Sequence, residues 1–151
     1  MSSVDITCED IEPPSWVAQL EGFVYAVLEH LEYHNWELSI VLTDNAVIQR
    51  LNREYRGKDE PTDVLSFGQQ EGDAAPPGAG PWAAGDIVVS LAAVAENAEE
   101  FGESFEHELK RVLVHGILHL AGHTHPDSSP EQPMLQLQET VLRALAEEHR
   151  L

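Results

Sequence analysis

Three histidines set out what this sequence can do chemically. In the run His115-Gly-Ile-Leu-His119-Leu-Ala-Gly122-His123-Thr-His125, the second imidazole follows the first by four residues and the third follows the second by six. Side chains four apart on a helix stand one above the other, so His115 and His119 share a face. Gly122, placed just after the helical stretch, lets the chain turn back and bring His125 round as a third nitrogen donor. Three neutral imidazoles suit a zinc ion and leave its fourth position for a water whose pKa the metal lowers. His123 is the alternative third donor, but it demands a tighter turn. The expected ligand set is therefore His115, His119 and His125, with His123 as a wall or hydrogen-bonding residue of the site.

A lone histidine on an apolar helix is ordinarily a packed core residue. Three at this spacing, embedded among Val112, Leu113, Val114, Leu118 and Leu120, point to ligands instead. The residue after His115 is Gly116, where metallopeptidases of the HExxH kind carry the glutamate that deprotonates water. Peptide hydrolysis thus loses its general base. A phosphodiester, which already brings its own charge or nucleophile, loses much less.

The field around such a site is strongly negative, with 27 acids against 8 bases and a net charge of -19. On average it repels phosphate and argues against nonspecific nucleic-acid binding. Yet Arg50, Arg53, Arg56 and Lys58, half of all the bases, fall within nine residues and predict one basic patch feeding the metal site. So acid-rich and lysine-poor a surface also fits a salt-rich cytoplasm. Cys8 is the single cysteine, which excludes an intrachain disulfide and a thiolate cluster; its place in the Val4, Ile6, Cys8 alternation makes it a small core residue. The start of the chain carries neither a basic leader nor an apolar run, and nowhere do 18 apolar residues follow one another. A cytoplasmic protein with no membrane partner is expected. Its length of 151 residues and 42% apolar composition suit one domain, 1–151, with one core.

The elements that must position the histidines can be read from periodicity. Val4, Ile6 and Cys8 form a short strand, and Leu20, Val24, Val27, Leu28 and Leu31 recur at helical spacing between about Trp16 and His34. Trp36 to Leu42 alternates as a strand, and Thr43-Asp44 offers an N-cap for a helix through Ala46, Ile48, Leu51 and Tyr55. A short strand over Pro61 to Phe67, a Gly/Pro/Ala-rich loop over Gln69 to Ala84 and a central strand over Gly85 to Ser90 follow. Ser90 caps a helix over Leu91 to Glu100, and a second helix over Phe105 to Ala121 carries His115 and His119. After a Pro/Asp/Ser-rich loop, a last helix runs from about Met134 to Glu148. Strands interleaved with helices, then helices alone, indicate an α+β layer structure with a small sheet.

Four blocks, Leu51-Asn-Arg-Glu-Tyr-Arg-Gly-Lys-Asp59, Pro61-Thr-Asp-Val-Leu-Ser-Phe67, Gly85-Asp-Ile-Val-Val-Ser90 and His115-Gly-Ile-Leu-His-Leu-Ala-Gly122, stand in an order that resembles the bacterial YbeY family. The resemblance implies a zinc-dependent, single-strand-specific endoribonuclease acting in 3'-end maturation of small-subunit ribosomal RNA and in ribosome quality control. It implies a mixed four-stranded sheet packed against helices with the zinc cleft at its edge, His115, His119 and His125 as ligands, and Arg56 as the arginine of the active cleft. Its partners would be single-stranded RNA, the ribosomal RNA precursor, and the small subunit or proteins associated with it. Where the family usually has Gly-Tyr-Asp-His, this chain has Gly122-His123-Thr124-His125, so the acid's support of ligand basicity is missing unless Asp127 supplies it. The family's proline after Ser-Phe is Gly68, which loosens the turn out of that strand. From composition alone Arg56 reads equally as a solvated arginine pairing with Glu60, and Asp63 and Asp86 as strand-end caps or as groups orienting the cleft. Two other functions compete: a different small metal-dependent hydrolase, and a ribosome-assembly protein whose zinc is structural.

Overall fold

The computed structural model describes residues 2–68, 82–122, 132–145 and 148–151. Within them the order is β1 (Ser3–Cys8), α1 (Val17–His30), β2 (Trp36–Thr43), α2 (Asn45–Arg56), β3 (Val64–Gly68), β4 (Trp82–Ser90), α3 (Leu91–Phe101), α4 (Phe105–Leu120) and α5 (Pro133–Ala144). The strands form one sheet in the order β1-β2-β4-β3. β1 and β4 both run parallel to β2, and β3 runs antiparallel to β4, so the sheet is mixed.

Alternation decides which face each strand buries. Trp36, Leu38, Ile40 and Leu42 of β2 are all buried, and with Ile87 and Val89 of β4 they join the main core beneath α1, α4 and α5. Val88 points the other way and packs with Leu65 against Ile48 of α2. α2 therefore covers one face near β3 while α1, α4 and α5 cover the other. Helix starts follow side-chain caps: Asp44 Oδ1 accepts from Val47 N at 3.0 Å, Ser90 Oγ from Ala93 N at 3.2 Å, and Ser104 Oγ from His107 N at 3.1 Å. Cys8, at the end of β1, packs against the main core, and burial pushes its thiol pKa up, as suits a packing residue.

Four boundaries differ from the sequence reading. β4 begins at Trp82, inside the stretch expected to be loop, because Trp82 and Ala83 pair with Trp36 and Glu37 of β2. Backbone pairing overrides the weak strand preference of an alanine pair. β3 begins at Val64 rather than Pro61, as a proline cannot donate to the ladder. α1 stops at His30 and α5 at Ala144, each short of the expected end. Gly68 stays in the ladder opposite Gly85, and the turn it was expected to loosen lies outside the described residues.

Among the described residues no helix is long and apolar enough to cross a membrane.

Candidate metal centre

α4 places the histidines. It is the most enclosed helix, with Leu109, Leu113, Val114, Ile117 and Leu118 fully buried between the sheet and α1, α3 and α5. Gly116 explains how closely it lies on the sheet: a Cβ there would stand 3.1 Å from both Ile87 Cδ1 and Ser66 Oγ. Ordinary carbon contacts are about 3.5–4.0 Å. The position that would hold a metallopeptidase's glutamate is thus tight even for a methyl group, and a longer side chain there would have to displace Ile87 and Ser66.

His115 is half-buried and His119 exposed, at the C-terminal end of α4 beside β3. Their rings meet edge to face, with centroids 4.6 Å apart at 69°, and the two Nε2 atoms are 3.1 Å apart. Two nitrogens each about 2.0–2.1 Å from a tetrahedral zinc stand roughly 3.3 Å apart, so this pair fits two adjacent corners of such a site. His115 Nδ1 is 2.8 Å from Oε1 of Gln138 on α5. Gly122, at φ +96°, ends the helical segment with its N–H donating to His119 O at 3.0 Å, the left-handed conformation that lets the chain turn away. His123, Thr124, His125 and Asp127 lie outside the described residues. Among the described residues no group of three His, Cys, Asp or Glu side chains is gathered for a metal ion.

Other polar groups line α4 nearer its N-terminus. Glu108, only 1% exposed, accepts from Arg111 Nε at 2.9 Å and also from Arg111 Nη2. The Arg111 guanidinium, one turn before His115, is held further toward its charged form chiefly by the Glu108 hydrogen bond; burial opposes this, and the charges of Glu108, Asp63 and Glu139 reinforce it. Asp63 behaves as a strand-end cap: its carbonyl accepts from Ser90 N at 3.0 Å and its Oδ2 from Asn97 Nδ2 at 3.3 Å. Asp86 alternates with Ile87, the residue that touches α4, and registers with Phe67 and Ser39 on the opposite side of the sheet. It does not orient the histidine pair.

Arg56 ends α2, on the sheet face opposite α4, because Ser66 approaches Gly116 while its neighbours Leu65 and Phe67 pack toward α2. The structure joins His115 to His119 and does not join Arg56 to either by a hydrogen bond. The pairing of Arg56 with Glu60 is absent among the described residues, while Arg50 reaches Glu9 at 3.9 Å and Arg53 reaches Asp59 at 3.6 Å. The basic patch thus narrows to Arg56 and Lys58, which have no acidic partner among the described residues. Next to Arg56, Tyr55 is 67% exposed and meets Phe67 edge-on at 5.4 Å.

Two groups have no counterpart in the sequence reading, Gln138 beside the histidine pair and Tyr55 beside Arg56 on the other face of the sheet. Gln138 occupies a buried position of α5 between Met134 and Leu142, so a polar residue in an apolar helical stripe was its signal. Tyr55 was read only as a helix residue, and its exposure had no sequence signal.

Comparisons with known proteins bear on the same residues. A family model described as Endoribonuclease YbeY matches residues 4–146. Endoribonuclease YbeY of Treponema pallidum (strain Nichols) is 49% identical over 145 residues, covering 94% of this chain and 89% of that protein. Endoribonuclease YbeY of Treponema denticola is 46% identical over 143 residues, covering 93% and 92%. A solution structure of a Thermotoga maritima protein superposes with a TM-score of 0.66 at 32% identity, covering 96% of this chain and 91% of that one.

Proposed function

The chain belongs to the YbeY family of endoribonucleases, and on that premise we propose that His115, His119 and His125 hold one zinc ion per chain in a cleft at the β3 edge of the sheet, with Arg56 engaging the RNA. The protein is a metal-dependent endoribonuclease of ribosomal RNA maturation and ribosome quality control, in a family of zinc enzymes. The observation that carries the site reading is the approach of the two Nε2 atoms to 3.1 Å at the open end of α4. Gly122 supports His125 as the third ligand, since its positive φ turns the chain where that histidine has to return.

Zinc, when bound, supplies a Lewis acid toward a phosphoryl oxygen. The chain's own residues do the rest. His115 and His119 present two nitrogens from one rigid helix, which keeps their separation fixed. Arg56 offers a planar donor fork to nonbridging oxygens, and it is available for that because no carboxylate pairs with it among the described residues. Tyr55, exposed beside it, offers a face on which an unpaired base can stack, which favours single-stranded RNA.

The proposed substrate is the precursor of small-subunit ribosomal RNA near its 3' end, met in the cytoplasm on the small subunit or with proteins associated with it, by a single domain spanning residues 1–151. The net charge of -19 favours such docking over capture of free RNA, since the partner supplies the encounter that the protein's field opposes.

The test is to incubate zinc-loaded protein and His115→Ala with single-stranded RNA, the matching DNA, and precursor RNA alone and within ribosomal particles. Cleavage of RNA but not DNA, improved within particles and lost in His115→Ala, is the expected result. Cleavage unchanged in His115→Ala overturns the site. No cleavage in any format favours an assembly factor with structural zinc, a reading to which the net charge also lends weight.

A further inference from the structure

We propose that Gln138, on α5, is a positioning residue that fixes the proton of His115 on Nδ1 and so turns the lone pair of His115 Nε2 toward the metal position; the inference rests on the reading of His115 and His119 as ligands. Gln138 is 3% exposed, so its amide has few partners to choose from. Oε1 lies 2.8 Å from His115 Nδ1, and Nε2 lies 3.4 Å from Glu139 Oε2.

The second contact orients the first. An ionised carboxylate only accepts hydrogen bonds, while an amide donates from nitrogen and accepts at oxygen. Turning the amide over would set its oxygen against the Glu139 carboxylate and its NH2 against the imidazole. With the amide held as it stands, Oε1 is an acceptor and His115 Nδ1 must be the donor. A neutral imidazole carries one proton, so His115 Nε2 is left as the bare nitrogen. That nitrogen is the one 3.1 Å from His119 Nε2. Metal-binding histidines characteristically donate their second N–H to a carbonyl or carboxylate, which locks both tautomer and ring orientation. Here a neutral amide from a different helix takes that part.

A neutral group suits its surroundings. Glu139 is adjacent in sequence, and Glu108, Asp63 and Glu139 already surround Arg111 one turn below His115. A further carboxylate at 138 would add to this negative cluster, while the amide accepts from His115 without adding charge. The metal site is in this way built from two helices separated by the 121–132 connection, and α5 contributes to it as well as to the core.

The experiment combines long-range proton–nitrogen NMR of the histidine rings in the metal-free protein with zinc titration against a competing chelator. In the wild type, His115 should carry its proton on Nδ1. Gln138→Leu, which removes the acceptor, should lose that preference and bind zinc about 10- to 100-fold more weakly. Gln138→Glu, which keeps an acceptor of the same reach, should restore the Nδ1–H form and most of the affinity. Gln138→Met serves in place of leucine if branching disturbs α5, with thermal unfolding as the check on fold. A wild-type His115 protonated on Nε2 overturns the proposal without reference to any variant. Wild-type zinc binding matched by Gln138→Leu overturns it as well, leaving the ligand assignment standing. A wild type that binds no zinc overturns the ligand assignment and the inference with it.

Discussion

His119 stands edge-on to His115 with the two Nε2 atoms 3.1 Å apart, at the end of the most enclosed helix in the fold. Two imidazoles so placed share one proton position or one cation. Replacing either by alanine should drop zinc content from near one per chain to a small fraction of that, since the remaining donors make a poor site. Plasma mass spectrometry of the purified variants checks this, and undiminished zinc in both would remove the pair from the metal site. His125→Ala should lose more zinc than His123→Ala. The reverse order would transfer the third ligand to His123.

Gly116 makes a second, purely steric prediction. A methyl at this position meets Ile87, which is fully buried, and Ser66 at 3.1 Å, so these neighbours must give by a few tenths of an ångström. Overpacking of this kind costs about 1–3 kcal/mol, while the better helix propensity of alanine returns about 1 kcal/mol. Gly116→Ala should therefore lower stability by about 1 kcal/mol in urea titrations. Gly116→Glu, which writes in the metallopeptidase glutamate, should unfold the protein rather than confer peptidase activity. A stable, well-folded Gly116→Glu protein would contradict the close approach of α4 to the sheet.

The helix and the contact of His115 with His119 are legible in the sequence, and the reasons are local. α4 announced itself through the apolar run Val112, Leu113, Val114, Leu118 and Leu120 and through Gly122 as stop, each a short-range signal. Four apart on one helix is a spacing that geometry converts directly into contact, so His115 and His119 followed. Gln138 did not, because its partner is 23 residues away on another helix and only packing brings them together. The start of β4 was hidden for a similar reason: Trp82 to Ala84 has little strand character by itself and is held by pairing with β2. Arg56 was legible as a member of a basic cluster, but the carboxylates that occupy Arg50 and Arg53 come from β1's end and from the loop after α2.

The acid side of stability should run through Glu106. Burial raises its carboxyl pKa, yet the hydrogen bond and charge of Lys110, 2.8 Å away, together with the Leu151 N–H and the charge of Arg150, outweigh that and hold it below the ordinary 4.5. A folded pKa below the unfolded one means stabilisation that is present above about pH 4.5 and is lost as pH falls through the folded value. The stability gap between wild type and Glu106→Gln should thus be widest near neutral pH and shrink as the pH falls below 4.5. Urea midpoints of both proteins across that range measure it. A gap that stays constant with pH would show that Lys110, itself buried against Phe23, does not depend on the charge of Glu106.

Arg56 and Tyr55 offer the sharpest test of RNA engagement, because they differ in their physics while sitting side by side. Arg56→Ala removes one phosphate contact, so it should weaken single-stranded RNA binding most at low salt and reduce the slope of log affinity against log salt by about 0.7. Tyr55→Ala removes a stacking face worth about 1–3 kcal/mol, so affinity should fall by about 5- to 150-fold with the salt slope unchanged. Tyr55→Phe should retain most of it. Neither residue touches the histidine pair, and α2 lies on the far face of the sheet, so zinc content should stay at the wild-type level in all three variants. Binding titrations with a labelled single strand at two salt concentrations, read beside the metal content, separate the cases. Equal affinity of wild type and Arg56→Ala at both concentrations would take Arg56 out of substrate binding, and a salt-dependent loss in Tyr55→Ala would mean that the tyrosine acts by holding its charged neighbours in place rather than by stacking.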